Sequence, residues 1–246
     1  MQKIRLDIYL VNENYARSRG VAQDLITNSK VVINGQIISK SNTLVNELDK
    51  VEILEEEKYV SRAAYKLKAA IEHFNIDLNN KIAIDIGSST GGFTQVLLEN
   101  NVKKVYSIDV GTNQLNEQLK KNNKVISLEQ TNFREIESSL IKDKIDFITI
   151  DVSFISINLI FNKIKELKWN NWKSIALLKP QFELGKKIGT TKGFAKTEDH
   201  KKIINNFIEF LSILNIKNLG YIVSPIKGAK KENTEYLFYL EYKNEK

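Results

Sequence analysis

Residues 85–95 read DIGSSTGGFTQ, and they join an apolar run, KIAIDI at 81–86, to an amphipathic one, FTQVLLEN at 93–100. A strand, a turn with glycines at 87, 91 and 92, and then a helix is an arrangement that lets backbone approach a ligand closely. The turn has the form G-x-x-x-G-G. A P-loop requires Gly-Lys-Ser/Thr, and no lysine occurs here. The dinucleotide fingerprint requires G-x-G-x-x-G, and Ser89 occupies its second glycine position. Phosphate cradling is therefore poorly supported. The turn can still set backbone N–H groups and a helix N-terminus against a carboxylate.

The next strand, VKKVYSIDV, ends at Asp109, 24 residues after Asp85. An acidic side chain there can accept hydrogen bonds from two ribose hydroxyls. A ligand with a carboxylate at the glycine turn, a ribose at Asp109 and no phosphate is described well by S-adenosylmethionine. Asn132, in EQTNF after the third strand, is placed to reach the adenine. The expected donor-binding set is Asp85, Gly87, Ser89, Gly91, Gly92, Phe93, Asp109, Asn132 and Asp151. A glycine turn that serves only as a tight connection leaves Asp109 unexplained.

Outward from this turn, strands and helices alternate. Strands are predicted at 81–86, 104–109, 124–128, 145–151 and 173–179, and helices at 91–100, 113–121, 157–167 and 198–214. Such alternation predicts an α/β, Rossmann-like domain with a parallel sheet covered by helices. NLGYIVSPI and TEYLFYLEY follow with no helix between them, which predicts an antiparallel hairpin at the end of the sheet. A helix, SRAAYKLKAAIEHF, precedes the first strand with Leu67, Ala70, Ile71 and Phe74 on one face.

Residues 1–57 read as a separate small α+β unit, 58–62 as a linker and 63–246 as the larger domain. RLDIYLVNEN sets Leu6, Tyr9 and Leu10 on one helical face, and Ser18 is placed to cap a second helix. VVINGQII predicts a hairpin at Asn34-Gly35, and LDKVEIL another strand. The charge cluster EEEK at 55–58 marks the join.

Composition narrows the chemistry. With 37 basic and 30 acidic residues the chain carries +7, a mild bias towards polyanions. The absence of cysteine excludes disulfides, thiolate catalysis and Cys-type zinc sites. His73 and His200, the only histidines, are far apart in sequence, so no metal is expected. No apolar run reaches the roughly 18–20 residues of a membrane span, and the start lacks a signal-peptide pattern. A cytoplasmic protein with no membrane partner is expected.

Four polar residues adjoin apolar runs where the sheet brings chain ends together: Lys66 before the first strand, Asp151 and Lys179 at the ends of the fourth and fifth, and Glu235 opening the last. Singly, each reads as a strand-end charge facing water. Together, at one rim of one sheet beside a methyl donor, they predict a site.

DIGSSTGGFTQ, YSIDVGTNQL, TNFREI, IDVSFIS, ALLKPQFELG and SPIKGAKKENTEY together resemble the TlyA/haemolysin A family of RNA 2′-O-ribose methyltransferases, whose catalytic domain is FtsJ-like. The resemblance extends along essentially the whole chain, and implies a catalytic Lys66–Asp151–Lys179–Glu235 tetrad with Lys179 as the base. Lys68 competes with Lys66 in YKLK, and helical spacing favours Lys66. Thr90-Gly91-Gly92 stands where the wider FtsJ-like group usually has Pro-Gly-Gly.

The N-terminal unit resembles the S4 RNA-binding domain through RLDIYLV, SRGVAQDLI, VVINGQII and SKSNTLV, with Arg5, Arg17, Arg19, Lys30 and Lys40 as candidate phosphate contacts. It departs from that pattern at NSKVV, where Asn28 or Ser29 must make the turn. The implied partner is ribosomal RNA or a ribosomal subunit, and the implied target a cytidine ribose of large-subunit RNA, in some members also one of the small subunit. The short ends of this chain favour the large-subunit type. The competing expectations are an RNA-binding assembly protein without turnover and a membrane-active haemolysin.

Overall fold

The computed structural model describes residues 3–54, 58–183, 197–227 and 233–244. The expected charged join at 55–57 lies outside them, as do residues 228–232 of the SPIKGAKKENTEY stretch. The chain divides into two compact units, Met1–Lys58 and Tyr59–Lys246.

The first unit runs β1 (Ile4–Arg5), α1 (Leu6–Asn12), α2 (Arg19–Thr27), β2 (Val31–Ile33), β3 (Gln36–Ile38), β4 (Leu44–Val45) and β5 (Val51–Ile53). β2 is the centre of an antiparallel sheet ordered β3-β2-β5, and β1 pairs with β4 in a second, two-stranded sheet. Ser18 caps α2, its Oγ accepting from the Val21 amide at 3.4 Å. Asn34 and Gly35 both take positive φ, 49° and 82°, as a two-residue hairpin of type I′ demands. Ser29, at φ 59°, makes the turn from α2 into β2. Leu6, Leu10, Ala22, Leu25, Ile26, Val31 and Val45 fill the core.

The second unit continues with α3 (Ala63–Phe74), β6 (Ile82–Ile86), α4 (Gly92–Glu99), β7 (Lys104–Ile108), α5 (Glu117–Lys120), β8 (Val125–Leu128), β9 (Phe147–Ile150), α6 (Ile157–Glu166), β10 (Trp172–Leu178), α7 (Pro180–Glu183), α8 (Thr197–Ile213), β11 (Lys217–Val223) and β12 (Tyr236–Tyr242). Seven strands form one sheet in the order β11-β12-β10-β9-β6-β7-β8. β8, β7, β6, β9 and β10 are parallel, and β12 is antiparallel to both β10 and β11.

Strand alternation sorts the core. Ala83, Val105, Phe147, Ile175 and Leu177 face α3 and α4, where they meet Leu67, Ala70, Phe93 and Leu97. Ile84, Ile108, Ile148, Ala176 and Leu178 share the opposite core with Ile160 and Phe161 of α6 and Phe207 and Leu211 of α8. α5 is shorter than the predicted 113–121. The amides of Asn113, Gln114 and Leu115 donate to the Glu129 carboxylate, and Asn116 caps the short helix that remains. Side-chain acceptors here satisfy the backbone that a longer helix would have satisfied.

β7 and β8 are added on one side of β6, and β9 returns to the other. A cleft therefore opens beyond the carboxyl ends of β6 and β9, the topological switch point of such a sheet.

Candidate active site

The strand ends themselves assemble the site. Gly87, Asp109, Asp151 and Lys179 are each the first residue beyond β6, β7, β9 and β10, and Glu235 is the last before β12. Backbone bonds extend the ladder to this row: Gly87 N–H donates to Ile108 O at 2.9 Å, Asp151 N–H to Ile86 O at 3.0 Å and Asp109 N–H to Leu128 O at 3.1 Å. The antiparallel register that pairs Leu178 with Tyr236 carries on to set Lys179 opposite Glu235.

A cavity of about 450 Å³ lies against this row, lined by residues that include Gly87, Ser89, Asp109, Asn132, Phe133 and Asp151. Gly87 cannot be replaced without cost. Its φ is 82°, and a Cβ there would lie 2.6 Å from the Asp151 carbonyl oxygen. The Asp109 carboxylate is fixed on both sides, Oδ2 accepting from Ser89 N–H at 2.8 Å and Oδ1 from Gly111 N–H at 2.7 Å. Each oxygen keeps a lone pair for a further donor. Asn132 lines the cavity, but its amide is engaged in its own turn: Oδ1 accepts from Arg134 N–H at 3.2 Å, and Nδ2 donates to Glu135 at 2.5 Å.

Four members of the expected donor-binding set lie behind the cavity wall. Asp85 is inaccessible to solvent. It accepts from Thr94 Oγ1 at 2.7 Å, from Thr149 Oγ1 at 2.9 Å and from the Thr94 amide, so it ties the first turn of α4 to the sheet. Burial pushes its carboxyl up to about 7, against the pull of the two threonines. A Cβ on Gly91 would overlap Leu115 and Leu119, and one on Gly92 would overlap Ser61, so these glycines serve helix packing. Phe93 is buried in the α3–α4 core.

The four charged residues form two ion pairs. Lys66 Nζ donates to Glu235 Oε2 at 2.6 Å, with 8% and 3% of the two residues exposed. Lys68, by contrast, is only half-buried and pairs with Glu72 across a helical turn at 3.7 Å. Lys179, 8% exposed, lies with Nζ 2.5 Å from Asp151 Oδ1 and donates to Ser153 Oγ at 2.9 Å. With all four ionised the cluster carries no net charge, which offsets the cost of withdrawing it from water.

Sequence reasoning singled out neither Ser153 nor the two phenylalanines beside it. Phe154 is 88% exposed at the cavity and holds φ 66°, a conformation a bulky residue adopts only under constraint. Its ring packs against Phe182 at 5.2 Å, and Phe182 lies 6.0 Å from Lys179 Nζ. The signal was the SF that follows Asp151 in IDVSFIS, an unusual place for an aromatic side chain if nothing is to meet it.

In the first unit, Arg5 and Arg19 converge on Asp7. Asp7 is inaccessible to solvent and accepts from Arg5 at 2.9 and 3.1 Å, from Arg19 at 3.0 Å and from Gln23 at 2.9 Å. The Arg5 guanidinium, above all, holds its carboxyl below the usual range. Arg17 and Lys40 are exposed and Lys30 half-buried, in the stretches before α2, after β3 and before β2. Among the described residues no cluster could hold a metal ion, and no helix is long and apolar enough to cross a membrane.

Residues 59–242 match the FtsJ-like methyltransferase family, and residues 4–51 match the S4 domain. The chain is 41% identical over 244 residues to hemolysin A of Brachyspira hyodysenteriae, covering 96% of this chain and 99% of that protein. It is 38% identical over 266 residues to the 23S rRNA (cytidine-2′-O)-methyltransferase TlyA of Campylobacter jejuni, covering 96% and 98%. A solved structure of a candidate hemolysin from Streptococcus thermophilus superposes with a TM-score of 0.77 at 36% identity, covering 99% of this chain and 90% of that one.

Proposed function

Because the chain belongs to the FtsJ-like methyltransferase family and carries an S4 domain ahead of the catalytic unit, we propose that it methylates a ribose 2′-hydroxyl of ribosomal RNA, on a cytidine of the large subunit. It is an S-adenosylmethionine-dependent methyltransferase. The finer reading is supported above all by one observation: two lysine–carboxylate pairs, one buried and one partly buried, meet at the strand-end row that borders the cavity.

The residues present fit the donor. Asp109 offers fixed acceptors for two ribose hydroxyls, Gly87 leaves room for close backbone approach, and no phosphate-binding lysine stands in the turn. When bound, the donor supplies a methyl group on a cationic sulfur.

The protein's own task is to place the hydroxyl in line with that methyl group and to take its proton. Lys179 Nζ is the base, held between Asp151 and Ser153. Only an amine with a free lone pair can take that proton. Lys66 and Glu235 hold each other and close the far side of the row. Phe154 presents an open aromatic face beside the cavity, suited to stacking an RNA base that has left its helix. The S4 unit supplies further phosphate contacts, with Arg5 and Arg19 set side by side on one carboxylate.

The decisive experiment supplies labelled methyl donor and separated ribosomal subunits, with free RNA alongside, and maps the label. The expected product is a 2′-O-methylcytidine in large-subunit RNA. Label on a base, or none on RNA, refutes the proposal. Lys179→Ala is expected to bind donor and RNA normally in equilibrium titrations yet to transfer methyl groups only at a small residual rate; normal turnover removes Lys179 from the base role.

A further inference from the structure

We infer that Ser153 is a positioning residue for the reaction: its hydroxyl, with Asp151, aims the lone pair of Lys179 at the substrate hydroxyl. This rests on the reading above, in which Lys179 is the base.

A neutral lysine amine has two N–H bonds and one lone pair. Flexible about its last bond, it can turn that lone pair in several directions. Here Nζ donates to Ser153 Oγ at 2.9 Å, while Asp151 Oδ1 lies 2.5 Å away as an ion-pair partner, off the hydrogen-bonding angle. Ser153 is thus the directional contact and Asp151 the one that holds Nζ in place by charge. With one N–H committed to Ser153, the lone pair is confined to the remaining tetrahedral corners. With Asp151 alone, the amine could rotate about its last bond and lose its aim, and Ser153 restricts that freedom.

The backbone explains how Ser153 comes to be there. Asp151 leaves β9, and three residues later the chain turns through Phe154 at φ 66°. Packing of Phe154 on Phe182 holds this turn against its strain. Phe182 itself follows Lys179 in α7, and its amide donates to the Lys179 carbonyl at 2.9 Å. The segment carrying Ser153 and the segment carrying the base are thus clamped together by one aromatic pair.

The step balances. The ribose O–H bond breaks and its proton joins the Lys179 lone pair as a third N–H. The oxygen's electron pair forms the new O–CH3 bond, and the pair of the broken S–CH3 bond stays on sulfur. The resulting ammonium keeps its N–H bond to Ser153 and stands beside the Asp151 carboxylate as its ion-pair partner, so neither needs to move far.

The test compares wild type, Ser153→Ala and Ser153→Thr by kcat, KM for donor and KM for RNA across pH 6–10. Ser153→Ala is expected to lower kcat about tenfold, about 1.4 kcal/mol in the barrier, with both KM values unchanged. Ser153→Thr, which keeps the hydroxyl, is expected to restore most of the rate. In a Lys179→Ala background, Ser153→Ala is expected to change the residual rate no further, since there is no amine to aim. A normal kcat for Ser153→Ala, an unrescued Ser153→Thr, a loss confined to KM, or an equal further loss without Lys179 overturns the inference while leaving the methyltransferase reading intact. A wild-type protein that modifies no ribose overturns both.

Discussion

Asp85→Asn is expected to stabilise the catalytic unit above neutrality and to leave it unchanged in acid. Asp85 is wholly buried beneath the glycine turn, and burial moves its carboxyl from 3.8 up to about 7. The unfolded chain ionises near the ordinary value. Between about pH 4 and pH 7 the native state therefore holds a proton that the unfolded state has lost, and stability falls as pH rises. Below that window both states are protonated and nothing is lost. Above it both are ionised, and the full cost of a charge inside the sheet is present. The difference corresponds to about 4 kcal/mol. Asparagine keeps the size and an acceptor for the Thr94 amide, the threonine hydroxyls can rotate to suit it, and it carries no charge. Urea unfolding followed by tryptophan fluorescence reports this unit alone, because Trp169 and Trp172 are the only tryptophans and both belong to it. The two proteins should unfold together at pH 3.5, and the variant should be ahead by several kcal/mol at pH 8. An equal gap at both values, or none at either, would show that the Asp85 charge costs nothing where it lies.

Two further outcomes are expected. Replacing Arg5 and Arg19 by alanine strips a buried carboxylate of its cations, so the comparison is made in an Asp7→Asn background that keeps the unit folded. RNA affinity should fall, and the slope of log K against log salt should flatten by about 1.5, two phosphate contacts' worth; an unchanged slope places the contacts elsewhere. Phe154→Ala should leave the melting temperature within a degree or two, since the ring is exposed, yet lower kcat/KM for RNA about tenfold or more, the scale of one lost base stack. Equal kcat/KM for both proteins would leave the exposed ring without a task.

Local pattern made much of the fold legible. Period-two apolar runs marked the strands, Asn34-Gly35 the hairpin and Ser18 a helix start, because each is decided within a few residues. What escaped was non-local. Beyond Arg5, two residues away, nothing near Asp7 announces that Arg19 and Gln23 will also close over it, since they lie along a helix that packs only later. Asp85 and Asp109 look alike as strand-end acids. Two residues of register separate them: Asp85 lies inside β6, opposite Ser107 and bonded to Thr94, whereas Asp109 stands just past β7 at the cavity. The α5 region reads as a helix until Glu129, on the neighbouring strand's far end, takes its amides. In the tetrad the residue types were visible, but the division into Lys66 with Glu235 and Lys179 with Asp151 depends on which face of the row each side chain takes. The left-handed turn at Phe154 had no local signature, because the packing that sustains it comes from α7.

The placing of β12 between β10 and β11 bears on how the molecule is made. During synthesis β10 emerges well before the strand that covers its edge, and residues 174–178 present an apolar, unpaired border, a template for aggregation. Through that interval Lys66 has no counter-ion. One late, long-range pairing, of the slow kind, both seals the vulnerable border and delivers Glu235. A ribosome stalled before it would hold a chain with its nucleoside pocket formed and its proton-handling cluster incomplete.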